Sequence, residues 1–187
     1  MAIKSDDLWE TIGHIDMVLP NRRIVLLTRD FRDNLLSITK KDFGPVEPLV
    51  AARYVKHRFA YYEAEYLRTS RNHRFHVRYE ELLTAPDAFV DRFTRHFALD
   101  SEGHTPLAVD TGRIRSDNMR KWSGLRTRQL AHCEAILRQE LLTYGYGIEC
   151  DLVEPPDLAT WLAAKGSDTI KRIPQKMRRV ASRLRAQ

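Results

Sequence analysis

Arg22-Arg23-Ile24-Val25-Leu26-Leu27-Thr28-Arg29-Asp30-Phe31-Arg32-Asp33-Asn34-Leu35-Leu36-Ser37 is the stretch from which the rest of the chain is read. Ile24 to Leu27 is an unbroken apolar run, short and partly β-branched, as in a strand buried on both faces. Asp30, Asp33 and Asn34 are cap-forming types, and Leu35, Leu36, Ile38 and Thr39 continue as a helix to Lys41. A strand running straight into a helix is half of a βαβ unit, and open α/β sheets bind ligands beyond the carboxyl ends of their strands. Arg29 stands at that end, and Ser37 follows in the early turns of the helix, where backbone N–H groups and the dipole favour an anion. Two readings are open. Arginine fork, hydroxyl and helix start form a phosphate clamp, or the alternating signs of Arg29, Asp30, Arg32 and Asp33 make a salt-bridged surface turn.

Composition narrows the class. With 187 residues, 43% of them hydrophobic and 30% charged, the chain has the make-up of one globular domain with a real core. A net charge of +6 and a pI near 9.5 suit an anionic ligand or surface without choosing among nucleotide, nucleic acid and membrane. Two cysteines, Cys133 and Cys150, give neither a disulfide framework nor a CxxC metal site, so no metal is expected. No apolar run reaches the length of a membrane span, and the first residues lack a signal-peptide core. The expected setting is reduced and cytoplasmic.

Outward from the central strand, Leu8, Ile12, Ile15 and Leu19 predict a helix over 6–19 that Pro20 ends; His14 reads as a helix-surface residue. Residues 42–48 form a Gly/Pro loop, and a helix over 49–70 carries the stripe Ala52, Val55, Phe59, Tyr62 and Tyr66, read as core. Phe75–Tyr79 alternates like a strand, and Pro86 opens a helix over 86–97. Residues 98–114 read as a long loop that runs into the basic residues Arg113, Arg115, Arg120 and Lys121, then Trp122. A helix over 127–144 stops at Gly145, with Cys133 on its apolar face. Pro155-Pro156 marks a boundary. Beyond it come a short helix at Trp161 and Leu162 and a basic tail with a loose apolar face.

Three of these pieces resemble one family. Arg-Asp-x-Arg-Asp-x-x-x-Ser after an apolar strand resembles the 3′-phosphate motif of sulfotransferases that use 3′-phosphoadenosine 5′-phosphosulfate (PAPS). Phe31 stands where many members have proline. Val77-Arg78-Tyr79-Glu80-Glu81-Leu82-Leu83 resembles the family's strand followed by Tyr-Glu-Asp/Glu-x-Leu. Arg115, seven residues before Trp122, matches the spacing of a further phosphate-binding arginine, although Ser116-Asp117 replaces the usual Lys-Gly. The resemblance covers about residues 8–147.

That resemblance implies a three-layer αβα fold with a parallel sheet, P-loop-like, in which Ile24–Leu27 is central and Phe75–Tyr79 lies beside it. It implies a family domain over residues 1–150 with a basic helical extension over 151–187. Arg29 and Ser37 would hold the 3′-phosphate, Tyr79 would reach the adenine, and Arg115, Arg120 or Lys121 would supply further positive charge. The activity implied is transfer of a sulfonyl group from PAPS to a hydroxyl or amine of a small-molecule, carbohydrate or lipid acceptor. No nucleic-acid partner is implied. A weak contact of the basic tail with an acidic membrane and a homo-oligomer both fit. The family's Lys- and Gly-rich 5′-phosphosulfate loop has no counterpart, and no catalytic residue is assignable. The chain therefore reads as N-terminally incomplete and is expected to transfer slowly or not at all. A nucleotide-binding homologue without transfer is the alternative, and a basic nucleic-acid-binding module is a third reading.

Overall fold

The computed structural model describes Leu19 and residues 21–99, 119–150 and 154–185, with side chains described up to residue 172. Residues 6–18 of the helix expected over 6–19, and residues 100–114 of the loop expected over 98–114, lie outside the described residues. In chain order the elements are β1 (Ile24–Thr28), α1 (Phe31–Thr39), α2 (Pro48–Arg68), β2 (Arg74–Arg78), α3 (Tyr79–Thr84), α4 (Pro86–His96), α5 (Thr127–Thr143) and α6 (Leu158–Arg185). Short 3₁₀ turns cover Arg71–His73 and Lys121–Gly124.

This is not the three-layer αβα sandwich that the resemblance implies. Helices dominate, and the sheet described consists of β1 and β2 alone, paired in parallel with Ile24 opposite Arg74 and Thr28 opposite Arg78. Two strands about 4.8 Å apart are no wider than a single helix of about 10 Å, so they cannot carry a helical layer on each face. Among the described residues, most of the remaining apolar ones lie in helices, which leaves none of them to widen the sheet.

The described residues fall into two compact units. One holds those of Met1–Arg29 and Arg58–Met119, the other those of Asp30–His57 and Arg120–Gln187.

In the first unit the parallel register puts Val25 and Leu27 on the same side of the sheet as Phe75 and Val77. Phe75 and Val77 are covered by Phe97, Leu82, Phe89 and Phe93, with Phe75 edge-on to Phe93 at 5.6 Å. Val25 and Leu27 remain 43% and 52% exposed, while Leu26 and Thr28 are buried. β1 is thus buried on one face, not both, because the α4 aromatics pack over β2. The start of β2 is fixed by Arg74, whose Nη1 donates to the Tyr66 and Leu67 carbonyls at the end of α2. Glu81 accepts from Arg78 (2.9 Å) and Arg92 (2.7 Å), tying strand end, α3 and α4 together.

In the second unit Phe31 and Leu35 of α1 are buried with Leu137 and Leu141 of α5. Phe31 has its ring 5.9 Å from Tyr144 and 6.0 Å from Tyr146. α5 stops where expected. Gly145 adopts φ 77°, and the amides of Gly145 and Tyr146 donate back to the Leu142 and Leu141 carbonyls, the pairing of a Schellman cap. α6 is one helix of 28 residues rather than a short helix and a tail. Its Asp168 accepts from the amides of Val46 (2.7 Å) and Glu47 (3.0 Å), so a side chain far along the chain caps the start of α2. Cys133 is fully buried, and burial with the Glu47 and Glu134 carboxylates nearby pushes its thiol up to about 12, so it is an inert core residue.

Candidate functional site

Asp30 is the N-cap of α1, as its residue type suggests, with its carboxylate accepting the Arg32 amide at 2.9 Å. The same carboxylate also receives the Arg32 guanidinium at Nε (2.9 Å) and Nη2 (2.7 Å) and the Trp122 indole N–H (3.1 Å). Arg32 donates its remaining Nη1 to Glu134, which also accepts the amides of Glu149 and Cys150. Burial alone would lower the Arg32 pKa, but the Asp30 and Glu134 carboxylates raise it, so the guanidinium stays charged. The turn is therefore neither a solvated salt-bridged surface nor an open helix start. Its own carboxylate occupies the amide that an anion would seek.

Asp33 makes the second connection. One oxygen accepts the Arg120 amide at 2.8 Å and the other the Lys121 amide at 2.6 Å. Arg120 is left-handed, at φ 56°, which turns successive amides toward the carboxylate. The Arg120 and Arg32 guanidinium carbons lie 5.4 and 4.1 Å from the Trp122 ring centroid, so the basic turn at 120–122 is anchored on α1. Ser37 lies four residues after Asp33, one turn along the same side of the helix. It stands in the last turns of α1, not the early ones, because the helix ends at Thr39. The dipole at Ser37 therefore does not favour an anion, and a ligand there would rely on the hydroxyl and on side-chain charge.

In the first unit Arg29 follows β1 directly, and its guanidinium stands over the Tyr79 ring at 5.2 Å. Tyr79 is the first residue of α3 rather than the last of a strand. Beside them Thr28 Oγ1 and His76 Nε2 share a hydrogen bond of 2.8 Å. Arg115 lies outside the described residues. No cluster of metal-binding type occurs among the described residues. An open groove in the second unit, lined by Arg128, His132, Asp157 and Thr160, holds none of the residues the family pattern assigns.

The chain matches the sulfotransferase family over residues 2–103, a stretch that includes Arg29, Ser37 and Tyr79. The chain belongs to the sulfotransferase family. No curated protein matches it. In this family member Arg120 and Lys121 lie beyond the matched stretch, yet Asp33 inside it holds their backbone. Sequence reasoning missed Glu134 and Trp122 as members of the buried network. One signal was present: Glu134 interrupts the apolar stripe of Leu130, Leu137 and Leu141, and an acid in such a stripe calls for a buried partner.

His76 supplies a pH prediction. Burial lowers its pKa from the usual 6.5, with Glu81 opposing and Arg78 and Arg92 assisting. The folded state thus resists a proton that the unfolded chain accepts. Its contribution to stability is complete above 6.5 and falls as pH drops from there through the folded value. Burial also works against the Glu81 carboxylate, but Arg92 and Arg78 hold its pKa below 4.5, so its contribution is lost only at lower pH. Urea midpoints should therefore decline as pH falls below about 6.5, and less steeply in His76→Gln. An unchanged decline in that variant would remove His76 as the cause.

Proposed function

We propose that this sulfotransferase-family chain binds PAPS by its 3′-phosphoadenosine end and serves transfer of the sulfonyl group to a hydroxyl or amine of a small-molecule, carbohydrate or lipid acceptor. Arg29 and Ser37 hold the 3′-phosphate, Tyr79 meets the adenine, and Arg120 and Lys121 add positive charge, with Arg115 assigned the same role by its spacing from Trp122. The family domain on this reading occupies residues 1–150, and 151–187 is a basic extension.

The observation that supports the reading most is the Asp33 carboxylate. It joins the helix that carries Ser37 to the basic turn at Arg120 and Lys121, the alternative donors to Arg115. The stacking of Arg29 on Tyr79 adds to it, since a guanidinium fixed against a ring meets a phosphate with less loss of freedom. Arg29 and Ser37 act on the far end of the cofactor, and such binding positions the nucleotide without lowering the chemical barrier. Lowering that barrier requires donors aimed at the oxygens of the moving sulfonyl group and a base for the acceptor's proton.

The test is acceptor-dependent release of adenosine 3′,5′-bisphosphate from PAPS across phenol, sugar and lipid alcohols. Release that rises with one acceptor class and falls with Arg29→Ala supports transfer. Tight nucleotide binding with no release from any acceptor would reduce the function to nucleotide binding.

A further inference from the structure

We propose that α6 is an interfacial helix by which the chain settles on an anionic lipid surface, independently of the nucleotide reading. One side of α6 is already used. Ala164 and Asp168 are buried, Asp168 caps α2, and the Trp161 ring lies 3.7 Å from the Arg53 guanidinium. The opposite side is apolar and uncovered, with Leu158, Leu162 and Ile170 exposed by 72%, 58% and 68%. At 3.6 residues per turn these three share an arc of about 120°. The helix continues to Arg185, and its register brings positions 173, 177, 180 and 184 onto the same arc, where the sequence has Ile, Met, Val and Leu.

Charge identifies the occupant. From Thr169 to Gln187 there are seven Lys or Arg residues and no Asp or Glu, so this segment's +7 exceeds the +6 of the whole chain. Of those with described side chains, Lys171 pairs with Glu47 at 2.7 Å and Arg172 with Asp168 at 3.8 Å. The others, at 176, 178, 179, 183 and 185, fall outside the apolar arc or at its margin. An apolar stripe with basic residues beside it fits the boundary between acyl chains and anionic headgroups. A nucleic acid would use the charge but not the aliphatic stripe. A second copy would bring two segments of +7 together. No described helix is long and apolar enough to cross a membrane, so α6 would lie on the surface rather than span it.

The experiment is sedimentation of the full chain with phosphatidylcholine vesicles, with and without phosphatidylglycerol, at low and high salt. Binding should be at least about tenfold stronger to the anionic vesicles and should weaken with salt. Because each basic residue near such a surface is worth roughly fivefold, Arg178→Glu with Arg179→Glu should lower binding by at least about 25-fold. Ile170→Asp, at a site exposed enough to leave the fold intact by circular dichroism, should lower it by about tenfold or more. Equal binding to both vesicle types, or none, would overturn the proposal. So would vesicle binding that Ile170→Asp leaves unchanged. Tighter binding to RNA or DNA, indifferent to Ile170→Asp, would assign the helix to nucleic acid instead. A dimer abolished by Ile170→Asp, without vesicle binding, would assign the face to self-association.

Discussion

Arg32→Ala is expected to destabilise the protein by about 3–5 kcal/mol, the range for removing one partner from a buried ion pair. Arg32, Asp30 and Glu134 are 3%, 8% and 1% exposed, so bulk solvent does not screen the carboxylates left behind. The variant would leave two carboxylates buried, each keeping only part of its hydrogen bonding. Asp30 would retain the Arg32 amide and the Trp122 indole, and Glu134 the amides of Glu149 and Cys150. Glu134→Gln should cost less, because the amide oxygen still accepts while the charge is removed. Arg32→Ala and Glu134→Gln should also couple in a double-mutant cycle, since the first strands a buried carboxylate whose charge the second removes. Urea unfolding of the two single variants and the double variant measures this. Additive losses would mean that the two side chains do not act as a pair.

The second large effect concerns ligand binding. Arg29→Ala should weaken adenosine 3′,5′-bisphosphate by about 1.5–3 kcal/mol, the range for a charged hydrogen bond. Ser37→Ala should cost about 0.5–1.5 kcal/mol, because the group lost is a neutral hydroxyl. Arg29→Lys should not fully rescue, since a point charge neither forks onto a phosphate nor stacks on the Tyr79 ring as a guanidinium does. Calorimetric titration of each variant checks the order. A Ser37→Ala loss larger than that of Arg29→Ala would reverse the roles assigned to the two residues.

Local features of this chain were legible in the sequence, and those set by distant neighbours were not. Asp30 as a cap, Pro86 at a helix start and Gly145 at a helix stop are decided by backbone geometry within a few residues, and each stands where its type suggests. The Ile24–Leu27 run did mark a strand, and its parallel partner near residue 75 was also read. Its burial was misjudged because an apolar run reports what a strand could bury, not what covers it. The cover came from Phe89, Phe93 and Phe97, and it lies over β2. The width of the sheet was overestimated for a related reason, since the layered fold came from resemblance and not from further strand-like runs in this chain.

α3 was missed although Glu80 and Glu81 stand in its first turn, where acids suit a helix start. The length of α6 was hidden by Gly166 and Pro174, which ordinarily punctuate a helix. For the proposed site, the family pattern points to Arg29, Ser37, Tyr79 and Arg115, with Arg120 and Lys121 as alternative donors. The carboxylates that hold the basic turn and the α1 start were not read in those roles. Asp33 meets Arg120 across 87 residues, and Arg32 meets Glu134 across 102, separations that no local pattern reports.

The most direct test of the central claim is a calorimetric comparison of adenosine 3′,5′-bisphosphate with adenosine 5′-monophosphate on the unaltered chain. The two ligands differ only in the 3′-phosphate that Arg29 and Ser37 are assigned to hold. The account predicts that the bisphosphate binds at least about tenfold more tightly, since one charged hydrogen bond of about 1.5 kcal/mol corresponds to that ratio. Equal affinity for the two nucleotides would contradict it.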